Sequence, residues 1–137
     1  MFKRGIQFCV FLKNRPGVFG EFCELLYENS INLMAVSLHA ESELGVLRMV
    51  VDNPTATEKL LQREAIPFLQ TDVLIVEVPN RAGMAAGVGH RLNQAAIDIE
   101  YTYFSATLSD VPAMMVFKVA DLNTALAKLQ ESPKDYN

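Results

Sequence analysis

Tryptophan is absent from the 137 residues of this chain, and cysteine and histidine occur only twice each. Cys9 and Cys23 form no C-x-x-C motif, so neither a disulfide-stapled scaffold nor a cysteine-rich zinc site is expected. Reduced, partly buried thiols are the ordinary outcome for such residues. His39 falls on a predicted strand and His90 on a predicted helix in the other half of the chain, without short-range ligand spacing. No metal site and no nucleophilic triad are therefore expected. Long apolar runs are missing too. Nothing approaches the ~20 residues that span a bilayer. The apolar start, Phe8 to Leu12, is shorter than the roughly 7–15 residues of a signal-peptide core and runs straight into Lys13 and Arg15. A cytoplasmic protein with no membrane partner is expected. Basic clusters are equally scarce: Lys3-Arg4 is the only adjacent pair, and the net charge is −4. Without phosphate-neutralising charge, no nucleic-acid partner is expected.

What remains has the balance of a globular protein, half apolar and one fifth charged. The length suits one ordinary domain or two small ones, and units of about 65 residues are marginal unless packed in pairs.

The internal repeat decides between these. KNRPGVFGEFCELLYENSIN, Lys13 to Asn32, is echoed by PNRAGMAAGVGHRLNQAAID, Pro79 to Asp98. Asn14, Arg15, Gly17, Leu26 and Ile31 recur as Asn80, Arg81, Gly83, Leu92 and Ile97, at a constant offset of 66 positions. Around the first copy, Ile6, Phe8, Val10 and Leu12 alternate as in a strand. Val18, Phe19, Phe22, Cys23 and Leu26 then follow helical spacing. Asn32 to Ala40 and Gly45 to Val51 predict a hairpin. Thr55 with Glu58 predicts a capping box for a second helix, and Ile66 to Leu69 a fourth strand. The second copy predicts a strand over Val73 to Val78 and a helix carrying Met84, Val88 and Leu92. A hairpin follows from Asp98 to Thr107 and Ala113 to Val119, turning at Leu108 to Pro112. Asp121 caps a last helix, and Glu131 to Asn137 has no apolar run. The order is β-α-β-β-α-β twice, with no evident fourth strand in the second copy. The edge of Val73–Val78 must then be covered by Ile66–Gln70, by the other repeat or by a second chain. Domains of residues 1–70 and 71–137 are expected.

With this repeat the sequence resembles a tandem pair of ACT domains, small regulatory modules that bind amino acids. The resemblance rests on Asn14-Arg15-Pro16-Gly17 and Ile31-Asn32-Leu33, and on Asn80-Arg81-Ala82-Gly83 and Ile97-Asp98-Ile99-Glu100-Tyr101. It spans about residues 5 to 130. It implies an α+β fold of two ferredoxin-like βαββαβ repeats with antiparallel sheets, no catalytic residues and no cofactor. Its implied ligand is a free amino acid held between two ACT units. It further implies a homodimer, and an amino-acid-metabolism enzyme as a regulated partner.

The corner itself has matching chemistry. Pro16 suits a first helical position, and Gly17 allows close approach. Amides of Gly17 and Val18 at a helix start can meet a carboxylate, Asn32 and Asn14 can accept from an ammonium group, and Arg15 can neutralise an acid. In the second copy the candidates are Asn80, Arg81, Gly83, Met84 and Asp98. There Ala82 replaces the proline, and Asp98 attracts an ammonium while repelling a carboxylate. The first copy is expected to be the sensor. Ordinary turn chemistry is the competing reading of both corners, and a ligand-free interaction subunit is the competing function. The string Gly83, Gly87, Gly89 lacks both Rossmann spacing and a Walker lysine, so no phosphate site is expected.

Overall fold

The computed structural model describes residues 2–105 and 112–131. The turn of the second hairpin, 106–111, and the polar tail, 132–137, lie outside the described residues. Ten elements follow in order: β1 (Phe2–Lys13), α1 (Val18–Glu28), β2 (Leu33–Glu41), β3 (Leu44–Val51), α2 (Pro54–Arg63), β4 (Phe68–Pro79), α3 (Met84–Gln94), β5 (Ile99–Ser105), β6 (Pro112–Val119) and α4 (Leu122–Glu131). Two compact units result. The first is Ile6–Thr71; the second is Met1–Gly5 together with Asp72–Asn137. The division falls inside β1 and inside β4, so each of these strands belongs partly to each unit.

In the first unit the strand order is β2-β3-β1-β4, with β4 contributing its opening residues. The period-two pattern of β1 puts Phe8, Val10 and Leu12 in the core, antiparallel to Met49, Leu47 and Gly45 of β3. Against them α1 supplies Phe22 and Leu26, and α2 supplies Leu60 and Leu61. Each such side chain contributes roughly 1.5–3 kcal/mol on full burial. Phe11 N–H donates to the Pro67 carbonyl at 3.0 Å, and the Phe8 and Phe68 rings lie 5.9 Å apart, which seats the start of β4 beside β1. The cap of α2 differs from the expected Thr55–Glu58 box. Asn53 is the N-cap, its side chain accepting from Ala56 N–H at 3.1 Å, because Pro54 occupies the first turn, where no N–H is needed. Glu58 instead accepts from the Gln70 side chain.

The second unit repeats this with the order β1-β4-β6-β5. Leu74, Val76 and Val78 face Val88 and Leu92 of α3 and Ala125 and Leu129 of α4. Core positions recur at the repeat offset: Phe8 and Leu74, Val10 and Val76, Leu26 and Leu92, Met49 and Met115. Asp121 caps α4 as expected, accepting from Thr124 N–H at 3.1 Å. The Thr124 hydroxyl and then its amide hold that carboxyl below its ordinary range.

Two expectations are corrected here. The strands expected at Ile66–Leu69 and Val73–Val78 are one strand, β4, beginning at Phe68. The edge of Val73–Val78, expected to be covered by Ile66–Gln70, by the other repeat or by a second chain, is covered by the opening residues of β1, which begins at Phe2 and not at Ile6. Phe2–Gly5 thus supplies a fourth strand to the second unit. Lys3 Nζ reaches Glu77 at 2.7 Å, Arg4 reaches Asp72 at 3.0 Å and also the Asn123 side chain, and Gly5 lies against Ile75. A Cβ on Gly5 would stand 2.1 Å from Ile75 Cδ1, so a larger residue there requires the Ile75 side chain to move.

Phe2 is tied down from above. The Arg91 guanidinium lies 5.5 Å from its ring centroid, and Arg91 Nη2 donates to the Leu129 carbonyl at 2.8 Å. Arg91 is buried, and its Nε has no partner. Arg91→Ala should cost about 2 kcal/mol of stability, through the lost charged hydrogen bond and cation–π contact. Arg91→Met should cost less, since it keeps the packed stem and removes a desolvated charge. Urea unfolding of both variants checks the order.

Candidate functional site

Each unit turns the same corner. β1 ends at Lys13 and α1 starts at Val18; β4 ends at Pro79 and α3 starts at Met84. Gly17 and Gly83 are the N-caps, both left-handed, with φ of 86° and 91°. The backbone bonds match one for one. Arg15 N–H donates to Lys13 O, Val18 N–H to Arg15 O and Glu21 N–H to Gly17 O. Arg81, Met84 and Gly87 donate in the same way to Pro79, Arg81 and Gly83. The glycine is therefore what both copies require, since other residues resist this φ. The proline is dispensable. It does not hold the expected first helical position, because Gly17 caps and Val18 begins the helix. The Val18 N–H, expected to face a ligand, already meets the Arg15 carbonyl at 3.3 Å.

The side chains divide the two copies. Arg15 grips Glu21 bidentately, at 2.9 and 2.8 Å. That hydrogen-bonded pairing, and then its charge, keeps the Glu21 carboxyl below its ordinary range and the Arg15 guanidinium above its own. Glu21 Oε2 stands 3.3 Å from where a Gly17 Cβ would be, so an acid already stands over the first corner. At the matching place of the second copy is Gly87. No acid occupies the first turn of α3, and nothing lies within 4 Å of a Cβ built on Gly83. A carboxylate would meet repulsion at the first helix start and none of this kind at the second. Glu21 was legible in the sequence only as part of a polar helix face; aligning it with Gly87 through the repeat is the signal that singles it out.

The other expected residues are placed as follows. The Asn14 side-chain amide donates to the Ser42 carbonyl at 2.7 Å and so braces the β2–β3 turn. Met84 is in the core of the second unit, with only its backbone at the corner. Asn32 and Asp98 sit beyond the far ends of α1 and α3. Each helix has 11 residues, which rise roughly 16 Å. The ammonium and carboxylate of an amino acid are on one carbon, so a corner and the Asn32-type residue of its own unit cannot share one ligand. Both far residues do line hollows. Asn32, with Cys23, Tyr27, Ser30 and Leu33, borders an open groove of about 430 Å³. Asp98, with Asp121, Thr124 and Lys128, borders one of about 170 Å³. Asn32 N–H itself donates to Asp52 Oδ1 at 2.9 Å. Burial raises the thiols of Cys9 and Cys23, against the charge of Arg48 in the first case, which makes neither an activated nucleophile. Among the described residues no helix is long and apolar enough to cross a membrane, and no three His, Cys, Asp or Glu group as metal ligands.

Two α+β units of ferredoxin-like order, each turning on a left-handed glycine 66 positions apart, define a tandem pair of one small domain type. The chain belongs to the ACT domain-pair family, a family of regulatory modules, whose model matches residues 5–131. Among solved structures, a Bacteroides thetaiotaomicron protein is similar at 28% identity and TM-score 0.81, over 95% of this chain and 89% of that one. The regulatory subunit of aspartate kinase from Thermus thermophilus, in ligand-free form, is similar at 13% identity and TM-score 0.67, over 95% of this chain and 91% of that one. The second likeness is one of fold. No curated protein matches the chain.

Proposed function

We propose that this is a non-catalytic, cytoplasmic regulatory protein that senses a free amino acid and works as a homodimer. The observation that carries the reading is the corner built twice with the same left-handed glycine and the same backbone hydrogen bonds. After a left-handed cap without a side chain, the amides beyond the first helical residue can meet a carboxylate, the first being taken by the Arg15 or Arg81 carbonyl. The second corner, Asn80, Arg81 and Gly83 with the amides that follow Met84, is the stronger host, because Glu21 has no counterpart there; the Met84 N–H itself meets the Arg81 carbonyl at 3.2 Å. The ammonium group must be met from outside the same unit, by Asn32 or Asp98 across the homodimer. The corner of Asn14, Arg15, Pro16, Gly17 and Val18 is the weaker host.

The apolar edge of the first unit favours assembly. Phe19 and Tyr27 of α1 and Met34, Val36 and Leu38 of the edge strand β2 are all exposed, Tyr27 at 76%. The same edge supports a second reading, a regulatory subunit of an amino-acid-metabolism enzyme with no ligand of its own.

A thermal-shift screen against the common amino acids separates the two. A ligand at a hundred times its Kd adds about 2.7 kcal/mol, a shift of several degrees at this size. If no amino acid moves the melting temperature, the sensing role is lost and the second reading stands.

A further inference from the structure

We propose that the first unit pairs with the first unit of a second copy through α1 and β2, with Tyr27 of each chain seated in the groove of the other. This pairing rests on the homodimer reading and names its interface. Phe19, Cys23 and Tyr27 recur every four residues and so share one stripe of α1. Cys23 and Tyr27 line the groove of about 430 Å³ together with Leu33 of β2, which puts that stripe beside the strand at the end of the sheet. Along β2, Val36 and Leu38 stand opposite Met49 and Leu47, both core residues, so they lie on the face that the helices cover. The fold does not require these apolar side chains. At the repeat offset the second unit carries Ala85, Gly89 and Asn93 on α3 and Glu100 and Thr102 on β5, and it forms the same elements. Only Leu38 keeps a large apolar counterpart, Phe104.

The exposed area suits a dimer. Phe19, Met34, Val36 and Leu38 are 38–45% exposed and Tyr27 is 76% exposed. At roughly 200 Å² for each side chain, they leave roughly 500 Å² of apolar surface open. That is the apolar share of the about 800 Å² that a stable dimer buries per partner. A second copy is the occupant because the patch complements itself. The projecting ring of Tyr27 and the groove lie side by side, so a two-fold axis brings each ring to the other's groove and buries both at once. Ser30 on the groove wall supplies a hydroxyl with which the phenol can pair.

The test uses the repeat. Tyr27→Arg and its counterpart Asn93→Arg are made in the full chain, and association is followed by sedimentation velocity over a range of concentrations. Both positions are exposed in the single chain, so both variants should keep the parent's circular-dichroism spectrum. Tyr27→Arg should raise the dimer dissociation constant about 100-fold, because each dimer loses the contact twice. Asn93→Arg should leave it unchanged. A wild-type dimer that Tyr27→Arg leaves intact, or that Asn93→Arg weakens as much, would overturn this interface and leave the homodimer standing. A wild-type chain that stays monomeric would overturn both and give the patch to a different protein. Cys23 supplies a check without substitution. Its maleimide labelling in the wild type, read by peptide mass spectrometry, should be about tenfold slower above the dissociation constant than below it, as access is lost. A dimer in which Cys23 labels as fast as in the monomer would overturn the proposal.

Discussion

A chain lacking Met1–Gly5 should lose about 4–6 kcal/mol of stability in its second unit, enough to bring that unit to the edge of unfolding at room temperature. The estimate starts from the pairing of β1 with β4, in which each backbone hydrogen bond lost with Phe2–Gly5 is worth about 1 kcal/mol. The half-buried Phe2 ring and its Arg91 contact add the rest. The ion pairs Lys3–Glu77 and Arg4–Asp72 are exposed and contribute little, so salt should leave the loss unchanged. Against a typical total of about 5–15 kcal/mol, such a loss is decisive. It would also expose the edge of β4, whose residues Leu74, Val76 and Val78 are apolar, so association should accompany the loss. Urea unfolding followed by circular dichroism checks the first effect and light scattering the second. A truncated chain that melts like the parent would show that Phe2–Gly5 is not the structural fourth strand.

The second large effect concerns ligand response. Gly83→Val should abolish the melting shift given by whichever amino acid stabilises the wild type, while Gly17→Val should retain most of it. Both variants force a branched side chain into a left-handed cap and should lose about 2 kcal/mol of stability, so strain alone cannot explain a difference between them. The difference arises from Glu21, which stands over the first corner and has only Gly87 as its counterpart at the second. Equal loss in the two variants would place ligands at both corners, and no loss in either would remove the corners from binding altogether.

Much of this was legible in the residues. Alternation in Phe8, Val10 and Leu12 and helical spacing in Phe22 and Leu26 gave strand and helix, and the offset of 66 carried both into the second half. The start of β1 was not legible, because Lys3, Arg4 and Gly5 break the alternation. Their partners, Glu77, Asp72 and Ile75, lie about seventy positions away. The corner was read correctly as a helix start but misassigned in detail: proline favours a first helical position in general, yet here glycine supplies the cap. The pairing of Gly17 with Asn32 failed for a geometric reason. Fifteen residues of sequence include a whole helix, which holds the two apart at its opposite ends. The ranking of the copies turned on Glu21, a residue whose side chain folds back toward Arg15, which spacing alone does not show.

Titration of the stabilising amino acid into nitrogen-labelled protein, followed by amide NMR, tests the carboxylate corner most directly. The account predicts that the amides of Gly83, Ala85 and Ala86 shift furthest, with smaller movement at Gly17 and Phe19. Shifts concentrated instead along the groove of Cys23, Tyr27 and Leu33, with the Gly83 amide unmoved, would contradict it.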